Sequence, residues 1–380
     1  MGRKVTIEPV TRIEGHARVT IHLDDDGDVE HAYFHVDQFR GFERFSQGRM
    51  FFEVPSITPR ICGICPVSHH LVSAKACDQI AGVKPPRPAK LLRELMHMGQ
   101  MIQSHSMHFF HLASPDLVLG FDADPAIRNV VGIINANPEL ALKAVKLRQY
   151  GQEIIRILSG RRIHPKFAVP GGVNKALSEK DRDEMLGSVD EMIGYMQEGL
   201  AIAKQWTEAN LELVQRFANF RSGYMGLVDA ETGALELYDG PVRLIDRDGE
   251  LLEQYDGRNY LDYIAEHVED WSYLKFPYYK KLGWPDGVYR VAPLGRLNVA
   301  DCISTPLANE EFKKFKAISD GPVEPSLYMH YARMIEDIYA AERARELLED
   351  PDILSTDIIN ESHTITGEGV GVIEAPRGTL

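Results

Sequence analysis

Cysteine is scarce in this sequence. Cys62, Cys65, Cys77 and Cys302 are the only four among 380 residues. Secreted domains that depend on disulfides carry many more cysteines for their length, so we exclude a disulfide framework and expect a reducing, cytoplasmic setting. One close pair remains, because Cys62 and Cys65 are three residues apart. Such a pair indicates metal or redox chemistry.

Basic charge and long apolar runs are also lacking. The 42 Lys and Arg residues are outnumbered by 56 Asp and Glu residues, which gives a net charge of −14. Because phosphate backbones attract basic surfaces, this acidic chain is a poor candidate for binding nucleic acid. No apolar run reaches the roughly 18 residues that a membrane span needs. The first residues turn polar and acidic too soon for a secretory signal. We therefore expect no nucleic-acid partner and no membrane span.

The spacing of hydrophobic residues predicts the fold class. Apolar and polar residues alternate over 5–36, which predicts antiparallel strands joined by an acidic hairpin turn. A helical period follows from 55 to 216, with helices predicted over 138–159 and 179–218. Strand signals return over 224–299, and the helical period resumes at 310–348. We predict an α+β fold, predominantly α: a helical core with an N-terminal antiparallel β region and a β-containing insertion.

The predicted segments show neither repeats nor a low-complexity linker. We therefore predict one domain over residues 1–380. Its predicted subregions are a β-rich start (1–55), a helical core with the cysteine pair (56–223), a β-containing insertion (224–305), and helices with the Arg377 loop (306–380).

The strongest local signal is the run RICGICPVSHH at residues 60–70. Two thiols at this spacing can point at one metal ion. A closed zinc or iron site normally needs a second such pair, which the sequence does not contain. We interpret Cys77 and Cys302 as small buried hydrophobic residues. A thioredoxin-type dithiol would require a flanking βαβ pattern that is absent, and a two-cysteine zinc or iron module would be a poor site.

Histidines at helical spacing give a second signal. His105, His108 and His111 could form a metal-binding ladder on one helix. Methionine and phenylalanine residues interleave them, and we favour a packed helix instead.

Five motifs occur in order along nearly the whole sequence. They are VTRIEGH (10–16), RGFE (40–43), RICGIC with His69 (60–69), RRIHP with VPGGV (161–173) and EAPRG (374–378). With these motifs the chain resembles the large subunit of nickel–iron hydrogenases. The stretches at 116–122 and 271–278 make it most similar to the cytoplasmic branch, which passes electrons to NAD or to a flavin-bearing partner.

The resemblance implies a reaction and its metals. The family interconverts H2 with two protons and two electrons at a nickel–iron centre, in which iron carries carbon monoxide and cyanide. By resemblance, Cys62 is a terminal nickel ligand and Cys65 bridges nickel and iron, which suits the softness of thiolates. His69 lies close by and tunes the site, unless it is an ordinary core histidine.

The resemblance also assigns four residues outside the cysteine run. It places Arg377 over the open metal position, with the preceding Pro376 lining the cofactor site. Asp116 would pair with Arg377, or it is simply an acid at a helix end. Glu14 would accept protons, or it forms an ordinary ion pair with the nearby Arg12.

The family further implies a structural magnesium ion. Glu43 matches its carboxylate ligand, and the alternative is a surface acid that pairs with Arg44. Iron–sulfur clusters belong to partner subunits, since this chain has too few cysteines to bind one. The expected partner is an iron–sulfur small subunit, followed by flavin- or NAD-dependent or heterodisulfide-type electron-transfer partners. We expect the small subunit to associate near the N-terminal strands and the cysteine loop.

The family completes its active site with a second Cys-x-x-Cys and a histidine near the C-terminus. This sequence has one such pair, so we expect a chain shortened before that segment and inactive alone. The alternative is a non-catalytic scaffold or assembly subunit of the same fold. Retention of Cys62, Cys65, Glu14 and Arg377 favours the enzyme.

Overall fold

The computed structural model describes residues 3–38 and 41–380. The chain divides into two compact units, Met1–Gln47 with Tyr260–Val288 and Gly48–Asn259 with Tyr289–Leu380. The prediction of one domain over 1–380 stays a prediction. None of the described helices combines the length and the hydropathy needed to cross a membrane.

Helices dominate the described residues. In chain order, the α-helices are α1 (Phe42–Ser46), α2 (Val54–Ile57), α3 (Pro66–Ile80), α4 (Arg87–Met107), α5 (Ser114–Leu119), α6 (Val130–Ala136), α7 (Pro138–Ser159), α8 (Glu179–Leu186), α9 (Val189–Ala209), α10 (Leu211–Arg216), α11 (Tyr260–Tyr263), α12 (Ala292–Val299), α13 (Pro306–Lys316) and α14 (Met329–Glu349). A π-helical turn, His108–Ala113, joins α4 to α5.

Strands are short and lie mainly near the N-terminus and between α10 and α12. In chain order they are β1 (Lys4–Ile7), β2 (Ala17–Leu23), β3 (Val29–Val36), β4 (Ala168–Val169), β5 (Gly172–Val173), β6 (Gly223–Leu227), β7 (Val242–Ile245), β8 (Leu251–Tyr255), β9 (Ile264–Val268), β10 (Lys275–Tyr279), β11 (Tyr289–Arg290), β12 (Glu374–Ala375) and β13 (Gly378–Thr379). Helices hold 48% and strands 15% of the residues, which confirms the prediction of a predominantly α, α+β fold.

The smaller unit contains two antiparallel sheets. Strands β1, β2 and β3 form a meander, and β9 pairs with β10. The turn between β2 and β3 is the acidic one that the sequence predicts. Its Asp24 Oδ1 accepts hydrogen bonds from the N–H groups of Asp26 and Asp28, at 3.0 and 2.9 Å. Aspartate side chains commonly close turns in this way.

The larger unit has a helical core around α4 and α14. Helix α4 packs against α7 and α14, and α14 also packs against α9. Glycines permit the closest approach: a Cβ on Gly151 of α7 would lie 2.5 Å from the Gly99 carbonyl oxygen of α4. Helix α7 matches the prediction over 138–159, with Asn137 capping its first turn through a bond from the Leu140 N–H.

The helix predicted over 179–218 is instead three helices, α8, α9 and α10. The first break falls at Gly187 and Ser188, both poor helix formers. At the second break, Asn210 leaves the helical conformation and its side chain donates to the Trp206 carbonyl at 2.8 Å. Side-chain competition for backbone carbonyls explains why asparagine ends helices.

The insertion contributes a four-stranded sheet in the order β11-β6-β7-β8. The β7–β8 hairpin lies within the stretch 224–299, for which the sequence predicts strands. Strand β11 pairs parallel with β6, whereas the other pairs are antiparallel. Next to this sheet, α12 packs on β6, and this contact places α12 beside the residues described below.

Candidate metal centre

A short loop carries the cysteine pair. A 3-10 turn over Thr58–Ile61 ends at Cys62, and α3 begins directly after Cys65 with Pro66 at its first position. Proline suits a helix start because its φ is already helical and it has no N–H to leave unpaired. The chain therefore turns between the two cysteines. The Cys65 N–H lies 3.0 Å from Cys62 Sγ, and the two Sγ atoms are in direct contact.

His69 completes a cluster with this pair. It lies one helical turn after Cys65 on α3, on the side of the helix that faces the loop. The two Sγ atoms and a His69 ring nitrogen all lie within 4.8 Å of one another. Burial lowers the pKa of His69 and favours its neutral form. Over residues 3–38 and 41–380, this is the one place where three potential metal ligands converge so closely.

Two glutamines of α4 hold the cysteine loop. The Ile64 carbonyl, between the two cysteines, accepts from Gln100 Nε2 at 2.9 Å and from Gln103 Nε2 at 2.7 Å. The Val67 N–H donates to Gln100 Oε1 at 3.4 Å. The sequence reasoning missed both glutamines. Their signal is two amides three residues apart on one helix, at the spacing that brings both side chains to the same face.

Arg377 meets the next residue of the same helix. It lies in the two-residue turn between β12 and β13, and its guanidinium donates to Ser104 Oγ at 2.9 Å. Ser104 follows Gln103 directly. The structure therefore attaches the cysteine loop and Arg377 to consecutive positions of α4, although more than 300 residues separate them in sequence.

A buried ion-pair network lies behind Arg377. Arg296 of α12 bonds both oxygens of Glu336 at 2.7 and 2.6 Å and Glu374 at 2.9 Å, and all three side chains are 0% exposed. Burial raises the pKa of Glu336, but the charge and hydrogen bonds of Arg296, together with His105, outweigh burial and lower that pKa to about 2. Glu336 is therefore ionised. Sequence reasoning missed Arg296 and Glu336, because a charged residue in a helix usually indicates a solvated face.

The network continues to His105 of α4. Its Nε2 lies 3.0 Å from Glu336, and its Nδ1 lies 3.0 Å from a nitrogen of Arg333. Burial, opposed by Glu336, lowers the pKa of His105 to about 3, so the ring is neutral. Burial and the positive charge of Arg377 lower the pKa of Arg333 to about 9. His105 is thus a hydrogen-bonded member of a packed helix, the arrangement that the interleaved apolar residues favour over a metal ladder.

Asp116 lies two residues into α5, after the π-helical turn. Its Oδ1 is 3.6 Å from Arg128 Nε, and both side chains are partly exposed. Its carboxylate also opposes the burial that lowers the pKa of His330 to about 4. The predicted partnership of Asp116 with Arg377 stays a prediction.

Glu14 and Glu43 belong to the smaller unit. Glu14 lies in the loop between β1 and β2, and Glu43 lies in the first turn of α1. Arg44, the alternative partner suggested for Glu43, donates to Gln47 at 2.6 Å. Arg40 of the RGFE motif lies outside the described residues. The roles predicted for both carboxylates stay predictions.

The remaining cysteines differ from each other. Cys77 is buried, as predicted, and burial raises the pKa of its thiol to about 12, which makes it unreactive. Cys302 is only partly buried, so the prediction of a buried residue is wrong there. The end of α12 explains the difference: the chain is extended after Ala300, and Cys302 lies partly exposed between the buried residues Ala300 and Ile303, with its carbonyl accepting from the Leu235 N–H.

Family models match the first third of the chain. Residues 4–39 match a model described as HoxL-like, and residues 40–129 match a model described as nickel-dependent hydrogenase. The matched residues include the VTRIEGH motif, the cysteine pair and Asp116.

Relatives and solved structures extend the likeness over the whole chain. One relative, from the F420-non-reducing hydrogenase vhu of Methanococcus voltae, is 48% identical over 377 residues, 99% of this chain and 89% of the relative. The NAD-reducing hydrogenase HoxS subunit beta of Cupriavidus necator is 45% identical, over 100% of this chain and 81% of the relative. A crystal structure of an NAD+-reducing [NiFe]-hydrogenase in the H2-reduced state superposes with a TM-score of 0.96 at 44% identity, over 100% of this chain and 84% of that one. Identity at this level over nearly the full length confirms the resemblance first indicated by the motifs: the chain belongs to the nickel-dependent hydrogenase family.

Proposed function

We propose that this chain is a hydrogenase large subunit that holds a nickel–iron centre and takes part in the reversible oxidation of H2. The observation that carries the proposal is the convergence of Cys62, Cys65 and His69 within 4.8 Å. The homologues named above belong to NAD-reducing and F420-non-reducing hydrogenases. The cluster and the homologues together favour an oxidoreductase over a scaffold.

The donor set fits these metals. Thiolates are soft ligands that suit nickel and iron. Cys65 occupies the N-cap position of α3, where the positive end of the helix dipole favours negative charge on sulfur. We infer that Cys62 would bind nickel, that Cys65 would bind nickel and iron, and that the iron would carry carbon monoxide and cyanide. A bound centre would supply the redox chemistry that separates H2 into protons and electrons.

The other residues would manage charge and protons. Arg377, held by Ser104, would present a positively charged donor to the centre without giving up its own proton. Pro376 would line the same site, and Asp116 would help to orient Arg377. Glu14 would accept protons, and Glu43 would bind a structural magnesium ion. His69, kept neutral by burial, would donate a hydrogen bond to a thiolate.

The electrons would leave through a partner. An iron–sulfur small subunit would receive them and pass them to a partner that reduces NAD, carries flavin or acts on a heterodisulfide. A cytoplasmic location suits such partners and the scarcity of cysteine.

Metal content and activity test the proposal together. In the complex that contains this chain, Cys65→Ser should remove nickel and abolish H2-dependent dye reduction. Cys77→Ser is the matched control, because Cys77 is a buried thiol away from the cluster, and it should retain both properties. Nickel retained at the unaltered level in Cys65→Ser would contradict the ligand assignment. A wild-type complex that contains no nickel would favour the scaffold.

A further inference from the structure

The segment that ends in Arg377 is attached to the core at three consecutive residues. Arg296 bonds the Glu374 side chain at 2.9 Å, the Ala375 carbonyl at 2.9 Å and the Pro376 carbonyl at 3.4 Å. One fully buried guanidinium therefore binds each of the three residues that precede Arg377. A planar fork with five donors is the side chain that can do this.

Arg296 is itself held rigidly. Glu336 of α14 takes two of its hydrogen bonds, and His105 and Arg333 extend the chain of bonds. Strand β6 leaves room for the side chain, because a Cβ on Gly226 would lie 2.9 Å from Arg296 Cγ. The position of this guanidinium is thus determined by elements on two sides.

Arg377 has a less constrained setting of its own. Its turn between β12 and β13 is a two-residue hairpin with two-residue strands, which is too short to be stable alone. Its side chain reaches Ser104 over a partly buried hydrogen bond. The placement of Arg377 therefore depends on how the residues on either side of it are held: Leu380 pairs with Ile373, and Arg296 binds the three residues before Arg377.

We propose that Arg296 is the positioning residue of Arg377. Arg296 fixes the segment 374–376, so that the Arg377 guanidinium stays at Ser104 and at the metal centre. The expected effect of Arg296 on turnover rests on the proposed function. The expected effect of Arg296 on the segment 374–376 is independent of that function.

The chain offers a matched control. Arg93 of α4 is also fully buried, forms an ion pair with Asp78, and donates to the carbonyls of Val169 and Gly172. It fixes a different segment by the same chemistry. Arg93→Lys therefore reports the general cost of weakening a buried arginine clamp.

The test compares Arg296→Lys with Arg93→Lys in the complex that contains this chain. Lysine keeps the charge but cannot form the fork. In Arg296→Lys, we expect amide hydrogen exchange over 374–379 to accelerate about tenfold or more. We expect kcat for H2-dependent dye reduction to fall about tenfold, while KM for H2 and nickel content stay unchanged. In Arg93→Lys, exchange should accelerate near 169–172 and kcat should be retained.

A double variant shows whether Arg296 acts through Arg377. If it does, Arg296→Lys with Arg377→Lys should have nearly the kcat of Arg377→Lys alone. The inference would be overturned if the kcat of the double variant fell by the product of the two single losses. Unchanged amide exchange over 374–379 in Arg296→Lys would also overturn it. If Arg296→Lys does not yield a folded complex, Glu374→Gln replaces it, because it removes one bond of the clamp and carries the same expectations. A wild-type complex without H2-dependent activity would reject the proposed function, and the exchange comparison would still decide the positioning role.

Discussion

The cysteine loop and the Arg377 loop both contact α4, but different chemistry holds them in place. Neutral amides of Gln100 and Gln103 hold the cysteine loop. Buried ion pairs of Arg296 with Glu336 and Glu374 hold the Arg377 loop. The neutral clamp, Gln100 and Gln103, adds no charge beside Cys62 and Cys65. A charged clamp suits a cationic loop, because its carboxylates offset the positive charges of Arg296 and Arg377.

The charged clamp is Arg296 with Glu336 and Glu374. We expect the largest loss of stability when one partner of this clamp is removed. Glu336→Ala removes one of the two carboxylates that pair with the Arg296 guanidinium, in a position with no access to water. Loss of one partner of a buried pair typically costs about 3–5 kcal/mol. We expect that loss in the free energy of unfolding, measured by chemical denaturation. Glu346→Ala is the control on the same helix, because its pair with Arg343 is partly exposed and should contribute under about 1 kcal/mol. Equal losses in both variants would contradict the distinction.

Removing the neutral clamp should lower the free energy of unfolding by less than removing Glu336 does. Replacing Gln100 and Gln103 together by leucine leaves the Ile64 carbonyl and the Val67 N–H without their side-chain partners. Unpaired groups of this kind cost about 1–3 kcal/mol each, so we expect a loss of about 3 kcal/mol in unfolding free energy. Gln103→Leu alone should cost about 1 kcal/mol, since Gln100 still donates to Ile64. A double variant no less stable than the single one would show that the glutamines do not hold the loop.

Low pH should lower the stability of the fold in part through His105, which bonds Glu336 of the charged clamp. Its pKa is about 3 when folded, against 6.5 for an unperturbed histidine side chain. The unfolded chain therefore binds a proton that the folded chain does not, and stability falls as pH drops below about 6.5. Between pH 7 and 5 this residue should account for a loss of about 2 kcal/mol.

Glutamine at position 105 tests this, because it can donate to Glu336 and accept from Arg333 without titrating. His105→Gln should make the loss of unfolding free energy between pH 7 and 5 smaller by about 2 kcal/mol, whereas other buried histidines with a lowered pKa, such as His97 and His330, keep their own contributions. His363→Gln alters an exposed histidine and should leave the pH dependence as it is in the wild type. If the slope is the same in all three proteins, His105 does not contribute to the acid sensitivity.

The two clamps also differ in how far they follow from the sequence. The cysteine loop is local: the pair, the proline at the start of α3 and His69 one turn later all lie within eight residues. The resemblance singles out the cysteine pair and His69, and periodicity predicts a helical region over 55–216 around them, but neither predicts where α3 begins. The clamp on Arg377 combines α12, α14 and β12, whose distance in sequence hides their contact. A lone arginine or glutamate in a helix usually indicates a solvated face, so burial of Arg296 and Glu336 becomes evident only in three dimensions.

The smallest effect is expected for Arg128→Ala, which tests whether Asp116 serves Arg128 or Arg377. Its contact with Arg128 at 3.6 Å is partly exposed, so Arg128→Ala should change unfolding free energy by under about 1 kcal/mol. If Asp116 serves Arg377 as we propose, Arg128→Ala should also retain H2-dependent dye reduction in the complex. Asp116→Asn should instead lower kcat at unchanged nickel content, because a neutral amide holds a guanidinium less firmly than a carboxylate does. Equal losses of kcat in the two variants would assign Asp116 to Arg128 and remove it from the site.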